Sequence, residues 1–264
     1  TQRNLNTLRA DQITIWGPAN GDQACGENGL GRMLEPEQLQ QALQVFFEPK
    51  WLDGKNVLIT AGPTYEAIDA VRGIINLSSG KMGYAIANAA SNAGATVTLI
   101  AGPVHLPKPS VQKFISITSA AQMLAAVKKE VSNCDIFISV AAVADYRPQT
   151  YQPQKINKAN QPLTLELVPN PDILHYVAHL KKPPFCVGFA AETEKLDQYA
   201  QKKRQQKRLP LIVANLAQQA MGADESTLIL FDDDGKHVLP QASKTELARQ
   251  LIKHIAQLFE KQNA

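Results

Sequence analysis

From residue 54 onward, short apolar runs alternate with stretches whose apolar positions recur every three or four residues. Residues 57–60, 96–101, 114–117, 135–142, 185–190 and 211–215 read as strands rich in Val, Ile, Leu and Phe. Between the first two, residues 81–92 place Met82, Ala85, Ile86, Ala89 and Ala90 on one helical stripe, which Gly94 stops. Ser119 caps a later helix carrying Met123, Leu124, Val127 and Val131 on one side, and 195–208 form a charged helix. The near-continuous apolar run 135–142 predicts a strand buried on both faces, in mid-sheet. This alternation predicts an α/β fold, a Rossmann-like doubly wound sheet, mostly parallel, that receives ligands at the C-terminal strand ends. Residues 227–231 and 237–239, around Asp233-Asp234-Gly235-Lys236, predict a closing C-terminal hairpin. Ser243 and Glu246 then predict a capping box for a last helix that buries Leu247, Leu251, Ile255 and Leu258.

Residues 1–49 follow a different pattern. They hold a Gly-rich loop at 24–33 and one helix at 35–47, too little apolar material for an independent core. We read them as the tail of a preceding module with a linker at Glu48-Pro49-Lys50, and 50–264 as the main domain. The polar stretch 149–162, rich in Gln, Lys, Asn and Pro, reads as a mobile flap.

Composition narrows the function classes. A chain of 264 residues with 44% hydrophobic and 19% charged residues suits a soluble globular protein. A formal charge of +3 is too small to argue for a nucleic-acid partner. Cys25, Cys134 and Cys186 form no CxxC, which argues against a disulfide framework or zinc site and fits a reducing cytoplasm. No apolar run approaches the ~20 residues that span a bilayer, so no membrane partner is expected.

The chemistry centres on residues 72–83, Arg-Gly-Ile-Ile-Asn-Leu-Ser-Ser-Gly-Lys-Met-Gly, which follow the first strand. Small residues let backbone N–H groups approach a ligand closely, and a helix starting near Gly80 adds its positive end, so a phosphate or carboxylate is the expected guest. The competing reading is a plain helix cap made by Ser78, Ser79 and Gly80. Neither a dinucleotide fingerprint nor a P-loop is present in good order. Lys155, Lys158, Lys202, Lys203, Arg204, Lys207 and Arg208 are cations suited to a polyanion, or a solvated surface, and Lys203 and Lys207 share a helix face at i, i+4. Asp145, just past the buried strand, stands where a carboxylate reads a base or sugar or helps hold Mg²⁺, or merely caps a turn. Asn170-Pro171-Asp172-Ile173 also reads as a helix start. His175 and His179 lack a third ligand, so no protein metal site is assigned. Tyr151/Lys155 and Tyr199/Lys203 keep a nucleotide-dependent reductase open, and a non-catalytic flavoprotein-associated subunit is a further alternative.

Six ordered blocks, taken together, resemble one family. They are Ile59-Thr60-Ala61-Gly62-Pro63-Thr64, Asn76 with Ser78-Ser79-Gly80-Lys81-Met82-Gly83, Ala141-Ala142-Val143-Ala144-Asp145-Tyr146, Lys155-Ile156-Asn157-Lys158, Asn170-Pro171-Asp172-Ile173 and Gly188-Phe189-Ala190-Ala191-Glu192-Thr193. They are similar to the phosphopantothenate–cysteine ligase domain of bacterial bifunctional coenzyme A biosynthesis proteins, from about residue 54 to the C-terminus. The resemblance implies a two-step reaction. The carboxylate of 4′-phosphopantothenate attacks the α-phosphate of CTP, releasing pyrophosphate; the amine of L-cysteine then displaces CMP from the acyl-cytidylate to form the amide. It implies Asn76 and Arg72 as catalytic residues. For CTP it implies Ala141, Ala142, Asp145, Lys155, Asn170 through Ile173 (with Pro171 and Asp172), Phe189, Lys203 and Lys207. For the acid substrate it implies Gly62, Ser78, Ser79, Gly80 and Lys81, with Mg²⁺ accompanying CTP and a homodimer as the assembly. The chain departs from the pattern at Gly73, Leu77 and Asn157.

Ala24-Cys25-Gly26-Glu27 and Gly31-Arg32-Met33 resemble the substrate clamp of the preceding phosphopantothenoylcysteine decarboxylase domain, which implies Cys25 as its proton donor. FMN belongs to the body of that domain, which lies outside these residues, so decarboxylation by this chain alone is not expected.

Overall fold

The computed structural model describes residues 1–264 except 23–25, 27, 159, 193–194, 217–223 and 264. It divides into two compact units, Thr1–Pro49 and Lys50–Ala264.

The first unit contains α1 (Gln2–Ala10), an antiparallel pair β1 (Ala19–Asp22) and β2 (Asn28–Arg32), and α2 (Pro36–Phe47). The sequence reading did not anticipate α1. None of its residues is buried, so no packed apolar stripe marks it. Trp16 meets Phe46 edge-on at 5.8 Å, and Leu30, Met33 and Phe47 are exposed.

The second unit runs β3 (Asn56–Ala61), β4 (Tyr65–Ala67), β5 (Gly73–Ile75), α3 (Lys81–Asn92), β6 (Thr96–Ala101), β7 (Lys113–Ser116), α4 (Ala120–Glu130) and β8 (Ile136–Ser139). It continues through β9 (Tyr146–Pro148), β10 (Leu167–Pro169), α5 (Ile173–Ala178), β11 (Phe185–Glu192), α6 (Leu196–Lys207), β12 (Leu211–Leu216), β13 (Glu225–Phe231), β14 (Lys236–Ser243) and α7 (Lys244–Asn263). Eight strands form one sheet in the order β14-β13-β12-β11-β8-β3-β6-β7. The six from β12 to β7 are parallel, and β13 and β14 add the antiparallel hairpin at one edge. This is the Rossmann-like sheet that the alternation of elements predicts.

Alternating strand residues feed two cores on opposite faces. Val57, Ile59, Val97, Leu99, Ile136 and Ile138 pack with α3 and α7 on one face. Leu58, Ile100 and Phe137 pack with α4, α5 and α6 on the other. The core of β8, Ile136 to Ile138, is fully buried, as a mid-sheet strand should be. That strand is shorter than the apolar run suggests: it ends at Ser139, and Val140 to Ala142 leave it to serve the cleft described below. The hairpins β4–β5 and β9–β10 were not anticipated, because strands of three residues show no period.

The caps follow the sequence signals. Ser119 and Gln122 form a full capping box on α4. At α7, Ser243 Oγ accepts from the Glu246 N–H at 3.2 Å, while the Glu246 carboxylate engages Arg249 and Gln250. Among the described residues, no helix is long and apolar enough to cross a membrane.

One buried carboxylate joins the closing hairpin to α7. Asp232 Oδ1 accepts from the Asp234 and Gly235 N–H groups, and His237 Nε2 and His254 Nε2 lie 3.1 and 2.7 Å from its two oxygens. The three side chains bring their ligand atoms within 4.8 Å, a grouping that sequence spacing did not disclose. Burial opposes ionisation of Asp232, but hydrogen bonds from His254, His237 and the Asp234 N–H outweigh it and hold the carboxyl below its usual range. Its stabilising contribution is therefore complete above the ordinary carboxylate pKa and is lost as pH falls towards the lowered folded value. Asp232→Asn is expected to cost roughly 2 kcal/mol at pH 7. Urea unfolding should show that difference shrinking below about pH 4; a difference that does not change with pH would show that ionised Asp232 is not the clamp.

Candidate active site

The cleft opens between the C-terminal ends of β3 and β8, where the strand order reverses. The two segments stay paired beyond their strands. Val140 N–H donates to Thr60 O at 3.2 Å, Ala142 N–H to Gly62 O at 2.9 Å, and Thr64 Oγ1 accepts from Ala144 N–H at 3.0 Å. This fixes residues 140–144 as the floor of a cleft of about 810 Å³.

The turn before α3 forms one wall. Gly80 is the N-cap, with φ +73° in the left-handed region, and a Cβ there would stand 2.8 Å from Val104 Cγ1. Gly80 itself offers no side chain to cap the helix, and the two serines before it supply hydroxyl acceptors at its start, so the capping reading of Ser78-Ser79-Gly80 and a role in the cleft wall coexist. Ser78 and Ser79 also line the wall, their hydroxyls accepting from the Gly80 and Lys81 N–H groups at 3.4 and 3.5 Å. The positive end of α3 thus borders the cleft.

Asn76 reaches across to the floor. Its Nδ2 donates to Ala142 O and Val143 O, each at 3.2 Å. Two carbonyl acceptors fix the amide's orientation and commit its donor side to the protein, which presents Oδ1 as an acceptor.

The opposite wall comes from the other face of the sheet. Asp172 caps α5, its Oδ1 accepting from His175 N–H at 2.9 Å, and its Oδ2 pairs with Lys207 Nζ at 2.6 Å. Burial works against ionised Asp172, but Lys207 and the His175 N–H hold its carboxyl below the usual range. Lys203, one helical turn before Lys207, donates to Phe189 O at 3.2 Å. Asn170 ties this wall to the floor: its N–H donates to Asp145 O at 2.7 Å and its Nδ2 to Ala144 O at 2.8 Å. Asp145 itself is exposed at the rim.

The structure brings Gly62, Asn76, Ser78, Ser79, Gly80, Lys81, Ala141, Ala142, Asp145, Asn170, Pro171, Asp172, Ile173, Phe189, Lys203 and Lys207 to one cleft. Among the described residues, Arg72 and Lys155 lie outside its lining. Arg72 is held by the buried carboxylate of Asp69 through Nε at 3.0 Å and Nη2 at 2.5 Å. The same carboxylate accepts from Ile156 N–H at 3.1 Å, and Arg72 Nη2 donates to Ile156 O at 2.6 Å. Arg72 first, with backbone N–H groups, therefore keeps Asp69 well below the usual carboxylate range and fastens the polar segment next to exposed Lys155. Arg204 turns away to Asp233 and Pro210 O. Cys25 lies outside the described residues. Tyr151 and Tyr199 are exposed and do not line the cleft, which removes the geometric basis for a reductase pair.

Asn215 and Lys244 are among the lining residues that the sequence reading did not assign to the site. Asn215 sits at the C-terminal end of β12, the position where open α/β sheets place ligand contacts, and that rule could have found it. Lys244 opens α7 and is only 8% exposed. Burial first, then the charge of Lys81, lowers its pKa, with Asp224 opposing. Cys134 and Cys186 are no thiolates: burial pushes both up to about 12. The lining combines cations on two walls with an oriented amide, an arrangement suited to holding polyanions and positioning a reaction between them.

The chain matches the family described as the DNA/pantothenate metabolism flavoprotein C-terminal domain over residues 52–259. It is 52% identical over 254 residues to the Coenzyme A biosynthesis bifunctional protein CoaBC of Vibrio cholerae, covering 94% of this chain and 64% of that protein. Its identity to the protein of the same name from Escherichia coli is 46% over 271 residues, covering 100% of this chain and 67% of that protein. The chain thus spans about two thirds of the length of these curated relatives. Among solved structures, the C-terminal domain of Coenzyme A biosynthesis bifunctional protein CoaBC is similar with a TM-score of 0.70 and 40% identity, covering 80% of this chain and 99% of that one.

Proposed function

Because the chain belongs to the family of DNA/pantothenate metabolism flavoprotein C-terminal domains, we propose that residues 50–264 are a CTP-dependent phosphopantothenate–cysteine ligase. The observation that carries this reading is the oriented Asn76 amide on the cleft floor, with lysines on the walls to either side. A carboxylate becomes a competent acyl donor only when its oxygen can leave. Activation by CTP needs fixed charge around a triphosphate rather than a protein nucleophile. Lys203 and Lys207 supply that charge, and Phe189, Asn170 and Asp145 surround the space for the nucleoside. Ser78, Ser79, Gly80 and Lys81, with Gly62 beside them, hold the phosphate of 4′-phosphopantothenate at the positive end of α3. The acid carboxylate and the α-phosphate then meet over Ala141 and Ala142. When cysteine enters, Asn76 Oδ1 accepts a hydrogen bond from its amine and aims the nitrogen lone pair at the acyl carbon. Forming the C–N bond breaks the acyl–oxygen bond, releases CMP, and sends the amine proton to solvent.

The residues present suit Mg²⁺ carried by the nucleotide. Asp172 is engaged by Lys207, whereas Asp145 offers an exposed carboxylate, and Mg²⁺ favours one or two carboxylates together with substrate phosphates. Bound with CTP, the ion supplies neutralisation of the triphosphate and departing pyrophosphate. Arg72 and Lys155 are assigned to the segment 149–162 closing on the substrates, Arg72 through Asp69 and Ile156. Residues 1–49 are the end of a decarboxylase domain whose FMN site and Cys25 chemistry require the rest of that domain. The ligase unit acts in the cytoplasm as a homodimer, for which exposed Val71 and Leu77 offer apolar surface.

Pyrophosphate release from protein, Mg²⁺, phosphopantothenate and CTP or ATP, with and without cysteine, tests this reading. The expected result is release that depends on CTP and phosphopantothenate, with amide forming once cysteine is added. No release from folded protein would overturn it in favour of a binding subunit. Lys207→Ala is expected to raise the KM for CTP about tenfold, the loss of one charge-assisted contact, and that for phosphopantothenate far less. Equal changes in the two constants would remove Lys207 from the nucleotide subsite.

A further inference from the structure

Three segments at the hairpin edge of the sheet bring ligand atoms to one point. Asp232 follows β13, His237 stands on β14 and His254 on α7, and one ligand atom from each lies within 4.8 Å of the other two. None of the three is among the residues that line the cleft. The Asp232 carboxylate is enclosed, at 1% exposure, whereas the His237 and His254 side chains are 39% and 20% exposed, which leaves a way in from the imidazole side.

As a hydrogen-bonded clamp alone, the grouping is over-supplied with donors. Asp232 Oδ1 already accepts from the Asp234 and Gly235 N–H groups, so its two lone pairs offer a poor place for His237 Nε2, 3.1 Å away, as a third donor. Among the described residues, the Nδ1 atoms of His237 and His254 have no protein partner, and each can carry its ring's proton while Nε2 presents a lone pair. Two imidazoles and one carboxylate are donors that suit Zn²⁺, while Mg²⁺ and Ca²⁺ favour oxygen alone. Tetrahedral Zn²⁺ with bonds of about 2.0–2.2 Å sets neighbouring ligand atoms about 3.3 Å apart. The separations from the carboxylate, 3.1 Å for His237 and 2.7 Å for His254, are close to that spacing. The two turn N–H groups fix the carboxylate as outer hydrogen bonds do for ligating groups. The neighbouring acids are already matched, Asp233 by Arg204 and Asp234 by Lys261, which leaves Asp232 to the imidazoles and the turn.

We propose that Asp232, His237 and His254 form a binding site for one Zn²⁺ ion, with water as the fourth ligand, and that the ion staples the C-terminal hairpin to α7. The site is independent of the ligase reading. No electron is transferred: each neutral imidazole keeps its proton on Nδ1 and gives its Nε2 lone pair to the metal.

The untagged full chain, stripped with a chelator, is titrated with Zn²⁺ calorimetrically, without nucleotide, as the parent, His237→Gln, His254→Gln and a His175→Gln/His179→Gln control. Co²⁺ serves as a spectroscopic probe of the ligands. We expect one Zn²⁺ per chain and a parent that melts higher with the ion than without it. Each site variant should bind at least about tenfold more weakly, the control should stay within about twofold, and excess Mg²⁺ should not compete. Circular dichroism checks that the variants are folded, and either site variant that folds decides the matter. No binding by the parent, binding that the site variants retain, loss confined to the control, or a thiolate-to-Co²⁺ charge-transfer band would each overturn the proposal.

Discussion

Asn76→Ala is expected to slow amide formation roughly a hundredfold or more, the scale of removing one positioned polar group from a transition state. CTP affinity should stay near that of the parent, because the lysines assigned to the triphosphate stand on another wall. The reason lies in the division of the Asn76 amide: Nδ2 is spent on Ala142 O and Val143 O, which on the proposed reading leaves Oδ1 to accept from the incoming amine. Asn76→Asp should be as damaging, since it replaces the donor by a charge facing two carbonyl oxygens. In a single-turnover experiment the first pyrophosphate burst should persist while product lags behind it and the acyl-cytidylate accumulates. Product formation at the parent rate would exclude Asn76 from the second step.

Gly102→Ala should have the largest effect on stability. A Cβ there would lie 1.7 Å from Pro63 O, a backbone atom that cannot rotate aside. Gly102 N–H also donates to Ala61 O at 3.0 Å, and Pro63 is bridged to Ala142, so any retreat displaces the cleft floor. We expect a loss of about 4 kcal/mol, an exceptional value for one methyl group, and a melting point lower by roughly 10 °C. Ligase activity of the surviving folded protein should fall as well. A variant within about 1 kcal/mol of the parent would mean that the segments after β3 and β6 separate freely.

The sheet was legible because its strands are buried on both faces and its helices bury one stripe, patterns that survive in a linear sequence. The C-terminal hairpin was legible in its Asp-Asp-Gly turn. The end of β8 was not, since Val140 and Ala141 are apolar whether they pair in a strand or line a cleft. The anion-binding turn could be read from its small residues, yet the same run conceals β5, too short to show a period. Helical spacing put Lys203 and Lys207 on one face, and the family resemblance assigned that face to the site. Lys244 was passed over because a lysine after Ser243 reads as the solvated start of a helix, and its burial arises only when α7 packs on α3. Arg72 was tied to the site through its neighbours, whereas its partner Asp69 carries no signal until the fold brings Ile156 to it.

The cleft draws its lysine-bearing walls from opposite faces of the sheet, Lys81 from α3 and Lys203 and Lys207 from α6. On the proposed reading, residues on α5 and α6 can therefore be exchanged to retune the choice of nucleotide while α3 is left untouched. The paired strip of Gly62 to Thr64 with Val140 to Ala144 is the part that no such exchange can spare, because it is the common floor beneath both walls.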